Sequence, residues 1–223
     1  MKRGILQVSF REGTALPELS EAFPGVPVYR AVLRGPSEDD VPRALERMAQ
    51  AGITHATVLP LLMVPGGEYG HLKSLLHREG MMLKLARPLL WEEADLRWLL
   101  QVLQERYPRE PDTLRVFLGH GTRHPAGQLF EALGALLARE PDMRLCLLGQ
   151  RPDSSWPALP RATVIPLFLG TGTHVLRDMA GPGQGSLAGM LRASGYETRC
   201  VLQGLGELPA VRERFILRAM EAE

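Results

Sequence analysis

Short apolar runs rich in β-branched residues alternate along this chain with segments whose apolar positions recur every three or four residues. In the first half GILQVSF, VPVYRAVL, HATVLPLLM and MLKLARPLL read as strands, and ALPELSEAF, SEDDVPRALERMAQAG, EYGHLKSLLHREG and WEEADLRWLLQVLQERY carry helical spacing between and after them. The second half repeats the alternation. LRVFLGH, MRLCLLG, RATVIPLFL and ETRCVLQG are its strands, interleaved with PAGQLFEALGALLAREP, the stretch around LRDMAGPGQGSLAGMLRASG and a closing LPAVRERFILRAMEA. Such an order predicts an α/β fold with parallel sheets. TVLPLLM is apolar on both faces, as a strand covered by helices on both sides must be. Ser37 with Asp40 is expected to form an acidic N-cap for a helix whose Val41, Leu45 and Met48 share one face, and Gly52 to end it. YPREPDTLRV, Tyr107 to Val116, is Pro-rich and polar. It predicts an N-terminal α/β half at 1–106, a linker at 107–114, and a C-terminal half with the closing helix at 115–223. The expected architecture is two similar three-layer αβα half-domains around a central cleft.

The halves also share a phrase. ATVLPLLMVPGGE (Ala56–Glu68) and ATVIPLFLGTGTH (Ala162–His174) lie 106 residues apart, so that Ala56, Thr57, Val58, Pro60, Leu61 and Gly66 meet Ala162, Thr163, Val164, Pro166, Leu167 and Gly172. One copy ends in a carboxylate, the other in an imidazole. Doubly wound sheets bind ligands beyond the carboxyl ends of their strands, which predicts Glu68 and His174 on opposite lips of one cleft, with His120 after the strand RVFLG.

Composition narrows the partners. A net charge of +1 over 223 residues carries no electrostatic footprint for nucleic acid, and none is expected as a partner. Cys146 and Cys200 each sit inside an apolar run and read as buried thiols rather than a disulfide framework. The opening MKRGILQVSF has the basic residues of a signal peptide, but Arg11 and Glu12 cut its apolar run and no cleavage site follows. Nothing reaches membrane-spanning length, so the expected setting is cytoplasmic, with no membrane partner. GPGQGS follows a helix and lacks the lysine of a P-loop, which argues against a nucleotide; Ser186 reads instead as the cap of the next helix.

VSF at Val8–Phe10, GGEYGHL at Gly66–Leu72, FLGHGTRH at Phe117–His124, PLFLGTGTHVLRDMA at Pro166–Ala180 and GLGELPAVRERF at Gly204–Phe215 resemble the anaerobic sirohydrochlorin cobaltochelatases, class II chelatases related to ferrochelatase. The resemblance extends over most of the chain. It implies a bilobal lyase of cobalamin-type tetrapyrrole biosynthesis that inserts a divalent metal without ATP. The metal is then a substrate, Co²⁺ first, with Ni²⁺, Fe²⁺ and Zn²⁺ as alternatives, and the macrocycle is sirohydrochlorin or precorrin-2. The implied ligands are His120 and His174, with Glu68 nearby, and the implied substrate contacts are Ser9, Phe10, Gly119, Gly121 and Gly172. Whether the chain forms a homo-oligomer stays open.

The chemistry of these residue types agrees. Insertion strips water from the ion, bends the ring to expose its lone pairs and removes two pyrrole protons. Imidazole binds borderline divalent ions and accepts protons near neutrality. His120 and His174 are therefore assigned as ligand and base, and Glu68 as proton acceptor or second ligand. Gly119 and Gly121 would let the backbone pass close under a flat ring. One position departs from the family, in which a glutamate ligand follows the strand matching RLCLLG; here Gly149 stands there, with Gln150 next and no carboxylate before Asp153. Either two ligands suffice, which favours passing the metal on, or Glu68 or Asp153 supplies another. A non-catalytic tetrapyrrole or metal carrier on the same frame is the alternative, and a binder of small anions at helix N-termini is a third reading.

Overall fold

The computed structural model describes residues 2–10, 15–34 and 39–222. In chain order its elements are β1 (Arg3–Ser9), α1 (Leu19–Ala22), β2 (Val28–Val32), α2 (Val41–Gln50), β3 (His55–Leu61), α3 (Gly67–Leu75) and β4 (Met82–Leu85). There follow α4 (Glu93–Arg106), β5 (Thr113–Gly119), α5 (Gly127–Leu137), β6 (Met143–Leu147) and β7 (Arg161–Pro166). A π-helical turn (His174–Met179), α6 (Leu187–Ala193), β8 (Glu197–Cys200), a 3₁₀ turn (Leu205–Glu207) and α7 (Pro209–Glu221) complete the order.

The eight strands form two parallel four-stranded sheets of one topology, β2-β1-β3-β4 and β6-β5-β7-β8. The repeated phrase occupies the same place in both: β3 and β7 each flank the first strand of their sheet, with Val8 opposite Pro60 and Leu118 opposite Pro166. Both sheets therefore reverse strand order at the same point, between β1 and β3 and between β5 and β7. In open α/β sheets such a reversal marks where ligands bind, outside the carboxyl ends of the strands.

Two compact units result, one from the segment up to Trp91 together with that from Pro209, the other Glu92–Leu208. The boundary expected at 107–114 falls inside the second unit, because α4 packs on α5 while α7 packs on β3. Helical periodicity places apolar residues on one side of a helix without saying which sheet receives them. The stretch after α4 is a tight connection: the buried Arg115 guanidinium donates to the Tyr107 carbonyl at 2.5 Å and, through two further N–H groups at 2.9 Å each, to both carboxylate oxygens of buried Asp142.

In the first unit Leu6, Val8, Ala56 and Val58 pack against Val41, Leu45 and Met48 of α2 and Leu72 of α3. β1 is buried on both of its faces after Arg3, as the continuous apolar pattern requires. Asp40 caps α2 by accepting the Arg43 amide at 2.9 Å; Ser37, its expected companion, lies outside the described residues. In the second unit Leu114, Val116, Leu118, Ala162 and Val164 pack against Val175 and Met179 of the π-helical turn and Leu187 and Leu191 of α6. Full burial of one such side chain contributes about 1.5–3 kcal/mol, so the turn carrying His174 is held to the sheet by Val175 and Met179.

One expectation about the cysteines is corrected. Cys200 is only half-buried where a buried thiol was expected: along β8 exposed and partly buried positions alternate, and Cys200 takes one of the latter. Cys146, on the opposite edge strand β6, is buried, and burial pushes its thiol up to about 11. Among the described residues no helix is long and apolar enough to cross a membrane.

Candidate metal centre and its surroundings

His120 follows β5 directly, and its neighbours explain how. Gly121 adopts φ +70°, in the left-handed region that favours glycine, and a Cβ there would stand 3.2 Å from Leu147 Cδ1. A Cβ on Gly119 would meet Leu147 Cδ2 at 3.2 Å and Phe130 Cε1 at 3.4 Å. The Gly-His-Gly turn thus lies pressed on the end of β6 and on α5, and the space its glycines leave is taken by the protein's own side chains. Only the His120 side chain projects, and it is exposed.

The carbonyl of Gly121 lies 2.9 Å from His120 Nδ1. A carbonyl can only accept, so Nδ1 carries the proton and the neutral ring keeps its lone pair on Nε2. His174 reaches the same condition by another route. It opens the π-helical turn, whose start is set by the Gly172 carbonyl accepting the amides of Val175 and Leu176 at 3.0 and 3.1 Å. Its Nδ1 lies 2.6 Å from Oδ2 of Asp178, four residues on. Arg177 donates from Nε to Asp178 Oδ1 at 2.8 Å, and Arg177 first, His174 next, hold the Asp178 carboxyl below the usual carboxylate range. With an ionised acceptor at Nδ1, the free lone pair of His174 is again on Nε2.

The two imidazoles meet. Their ring centroids are 5.2 Å apart with planes at 80°, and Phe168, just past β7, stacks on His174 at 5.7 Å and 21°. In their neutral form, with Nε2 lone pairs free, two such imidazoles suit a borderline divalent ion. No set of three or more His, Cys, Asp or Glu side chains arranged to hold a metal occurs among the described residues. At the departure from the family pattern, Gly149 has φ +83°, and Gln150 turns its Oε1 back to the Leu147 amide at 3.0 Å. Asp153 is likewise engaged, accepting the Ser155 amide at 2.8 Å.

Glu68 belongs to the first unit, in the first turn of α3, where a carboxylate is favoured by the helix dipole. Both of its oxygens accept from Arg34, at 3.4 Å each. Arg34 in turn donates its amide to the Phe10 carbonyl at 3.0 Å, which gathers Phe10, Arg34 and Glu68 at the carboxyl ends of β1, β2 and β3. Phe10 is 41% exposed, whereas Ser9 is buried, its carbonyl accepting the Leu33 amide at 2.8 Å. Of the expected substrate contacts, Phe10 and Gly172 are exposed and Ser9 is not.

Sequence reasoning missed Arg34, Phe168 and Asp178. Asp178 alone left a readable signal, a carboxylate four residues after a histidine, which places the two on one helical face. GPGQGS is explained locally: Ser186 Oγ accepts the Gly189 amide at 3.0 Å and donates to the Gly181 and Gly183 carbonyls at 2.5 and 2.8 Å.

Residues 34–223 match a family model described as Cobalt chelatase (CbiK). Sirohydrochlorin cobaltochelatase CbiKC of Nitratidesulfovibrio vulgaris is 33% identical over 240 aligned residues, covering 92% of this chain and 85% of its own. The sirohydrochlorin cobaltochelatase of Salmonella typhimurium is 26% identical, with 92% and 83% covered. Among solved structures, SirB from Bacillus subtilis with Fe³⁺ matches with a TM-score of 0.70 at 16% identity, over 100% of this chain and 96% of that one. That likeness speaks for the fold.

Proposed function

This chain belongs to the CbiK cobalt chelatase family, and from that premise we propose that it inserts a divalent metal ion, Co²⁺ first, into sirohydrochlorin without ATP. The observation that carries the reading at the level of atoms is the His120–His174 pair, with both Nδ1 positions hydrogen-bonded and both Nε2 lone pairs free, in the segments that follow the neighbouring strands β5 and β7 at the switch point of the second sheet.

Insertion exchanges one M²⁺ for two pyrrole protons. The imidazoles replace part of the ion's hydration shell, hold it while the macrocycle nitrogens take over, and provide a basic nitrogen for a departing proton. Two neutral ligands hold an ion less firmly than a set completed by carboxylate, which suits a metal that must leave with the product. We assign Glu68 the second proton; its support is its place after β3, equivalent to that of His174 after β7. Arg34 beside it supplies a guanidinium for the carboxylates of the macrocycle.

Mixing the protein with sirohydrochlorin and Co²⁺ in the absence of ATP, and following the absorption spectrum, tests the reading. A rate of cobalt-macrocycle formation well above that without protein is expected. Tetrapyrrole binding with no acceleration would favour the carrier instead.

A further inference from the structure

Asp178 does more than occupy the turn. Its Oδ2 lies 2.6 Å from His174 Nδ1, at the short end for a charge-assisted hydrogen bond. On its other side Arg177 reaches Oδ1 with Nε at 2.8 Å and Oδ2 with Nη2 at 3.5 Å, fixing the carboxylate where the imidazole meets it. Phe168 covers one face of the His174 ring. The ring is thereby held in its plane by Phe168 and against rotation by Asp178. Rotating it by half a turn about its bond to Cβ would take Nδ1 away from Asp178 and move Nε2 from its present place.

We propose that Asp178 is the positioning residue of the metal-handling pair: it keeps the proton of His174 on Nδ1 and the Nε2 lone pair aimed for the ion that His120 shares. This rests on the metal-insertion reading for its purpose, but the effect on the ring does not require turnover. Removing a hydrogen-bond partner of a ligating histidine typically costs 10–100-fold in metal affinity or activity. Asp178→Ala removes both the acceptor and its charge. Asp178→Asn keeps an oxygen that can accept from Nδ1 and removes only the charge.

The test combines three measurements on the full chain. Imidazole ¹⁵N–¹H correlation spectra of the metal-free protein report the His174 tautomer, assigned by comparison with His174→Ala. Calorimetry with Co²⁺ alone reports affinity, and insertion kinetics report kcat and KM for each substrate. For wild type the Nδ1–H tautomer is expected. In Asp178→Ala that signal should give way to a mixture, Co²⁺ affinity should fall about 10–100-fold, and the KM for the tetrapyrrole should stay as in wild type. Asp178→Asn should retain the tautomer and lose part of the affinity. A folded Asp178→Ala with the wild-type tautomer and Co²⁺ affinity would overturn the proposal. Should the alanine variant fail to fold, Asp178→Asn decides, wild-type Co²⁺ affinity there again overturning it. Absence of insertion by the wild-type protein would count against the chelatase reading, while tautomer and affinity would still decide the role of Asp178.

Discussion

His120 and His174, 54 residues apart in sequence, stand with ring centroids 5.2 Å apart because β5 and β7 are neighbours and each sends its following loop to the same end of the sheet. If both rings serve one ion, they act as a unit. His120→Ala and His174→Ala should then each lower the insertion rate ~10²–10⁴-fold, the range of a positioned proton-transfer group. The double variant should be little worse than either single one, because the second removal takes away what the first has already disabled. Initial rates from the absorption change give these numbers. Multiplicative losses in the double variant would mean that the rings act independently.

The Gly-His-Gly turn makes a separate demand. At φ +70° an L side chain on Gly121 costs about 1–2 kcal/mol in backbone conformation, and its Cβ would press on Leu147 at 3.2 Å. Gly121→Ala should lower the melting temperature and slow insertion by displacing His120. Gly172, whose added Cβ would meet nothing within 4 Å, should accept alanine with a change in stability of less than about 0.5 kcal/mol. Thermal unfolding of the two variants side by side checks the contrast.

These residues mark how far the sequence could be read. The strand-helix alternation and the shared phrase made the two equivalent sheets legible, since burial on both faces of β3 and β7 leaves a continuous apolar run, and Pro60 and Pro166 punctuate both runs at one register position. His120 and His174 were legible through motif. What the sequence withheld depends on packing between distant elements. The placement of α4 and α7 is decided by which sheet buries Leu99 and Phe215, a choice that periodicity does not encode. The contact between Arg34 and Glu68 links residues 34 positions apart, and the stack of Phe168 on His174 needs the turn geometry that follows β7.

By the resemblance set out above, Gly149 falls where a glutamate ligand is expected. Its φ of +83° disfavours any L side chain, yet an added Cβ would meet nothing within 4 Å. Gly149→Glu should therefore cost about 1–2 kcal/mol of stability while adding a charged oxygen ligand, so that Co²⁺ binds more tightly without tetrapyrrole and product release slows. Calorimetry and thermal unfolding read the two effects separately. Unchanged Co²⁺ affinity would mean that the new carboxylate does not reach the ion.

The C-terminal helix joins the first unit through a charge pair that makes its attachment depend on pH. Arg212 on α7 donates from Nε to Glu18 Oε1 at 2.7 Å and from Nη2 to Oε2 at 2.5 Å, a two-pronged contact with side chains 22% and 41% exposed. The hydrogen bond from Arg212 is the largest influence on Glu18 and lowers its pKa below the ordinary carboxylate value. A carboxyl depressed on folding binds protons more readily when unfolded. Its contribution is present above the unfolded pKa, about 4.3, and is lost as pH falls through the lower folded value. Solvent screening at this exposure limits that contribution to about 1 kcal/mol. Glu18→Gln should thus unfold at lower urea than wild type at pH 7, and the two midpoints should converge as the pH is taken below about 4. A gap that stays constant from pH 7 to pH 3 would assign the loss to packing of the side chain rather than to its charge.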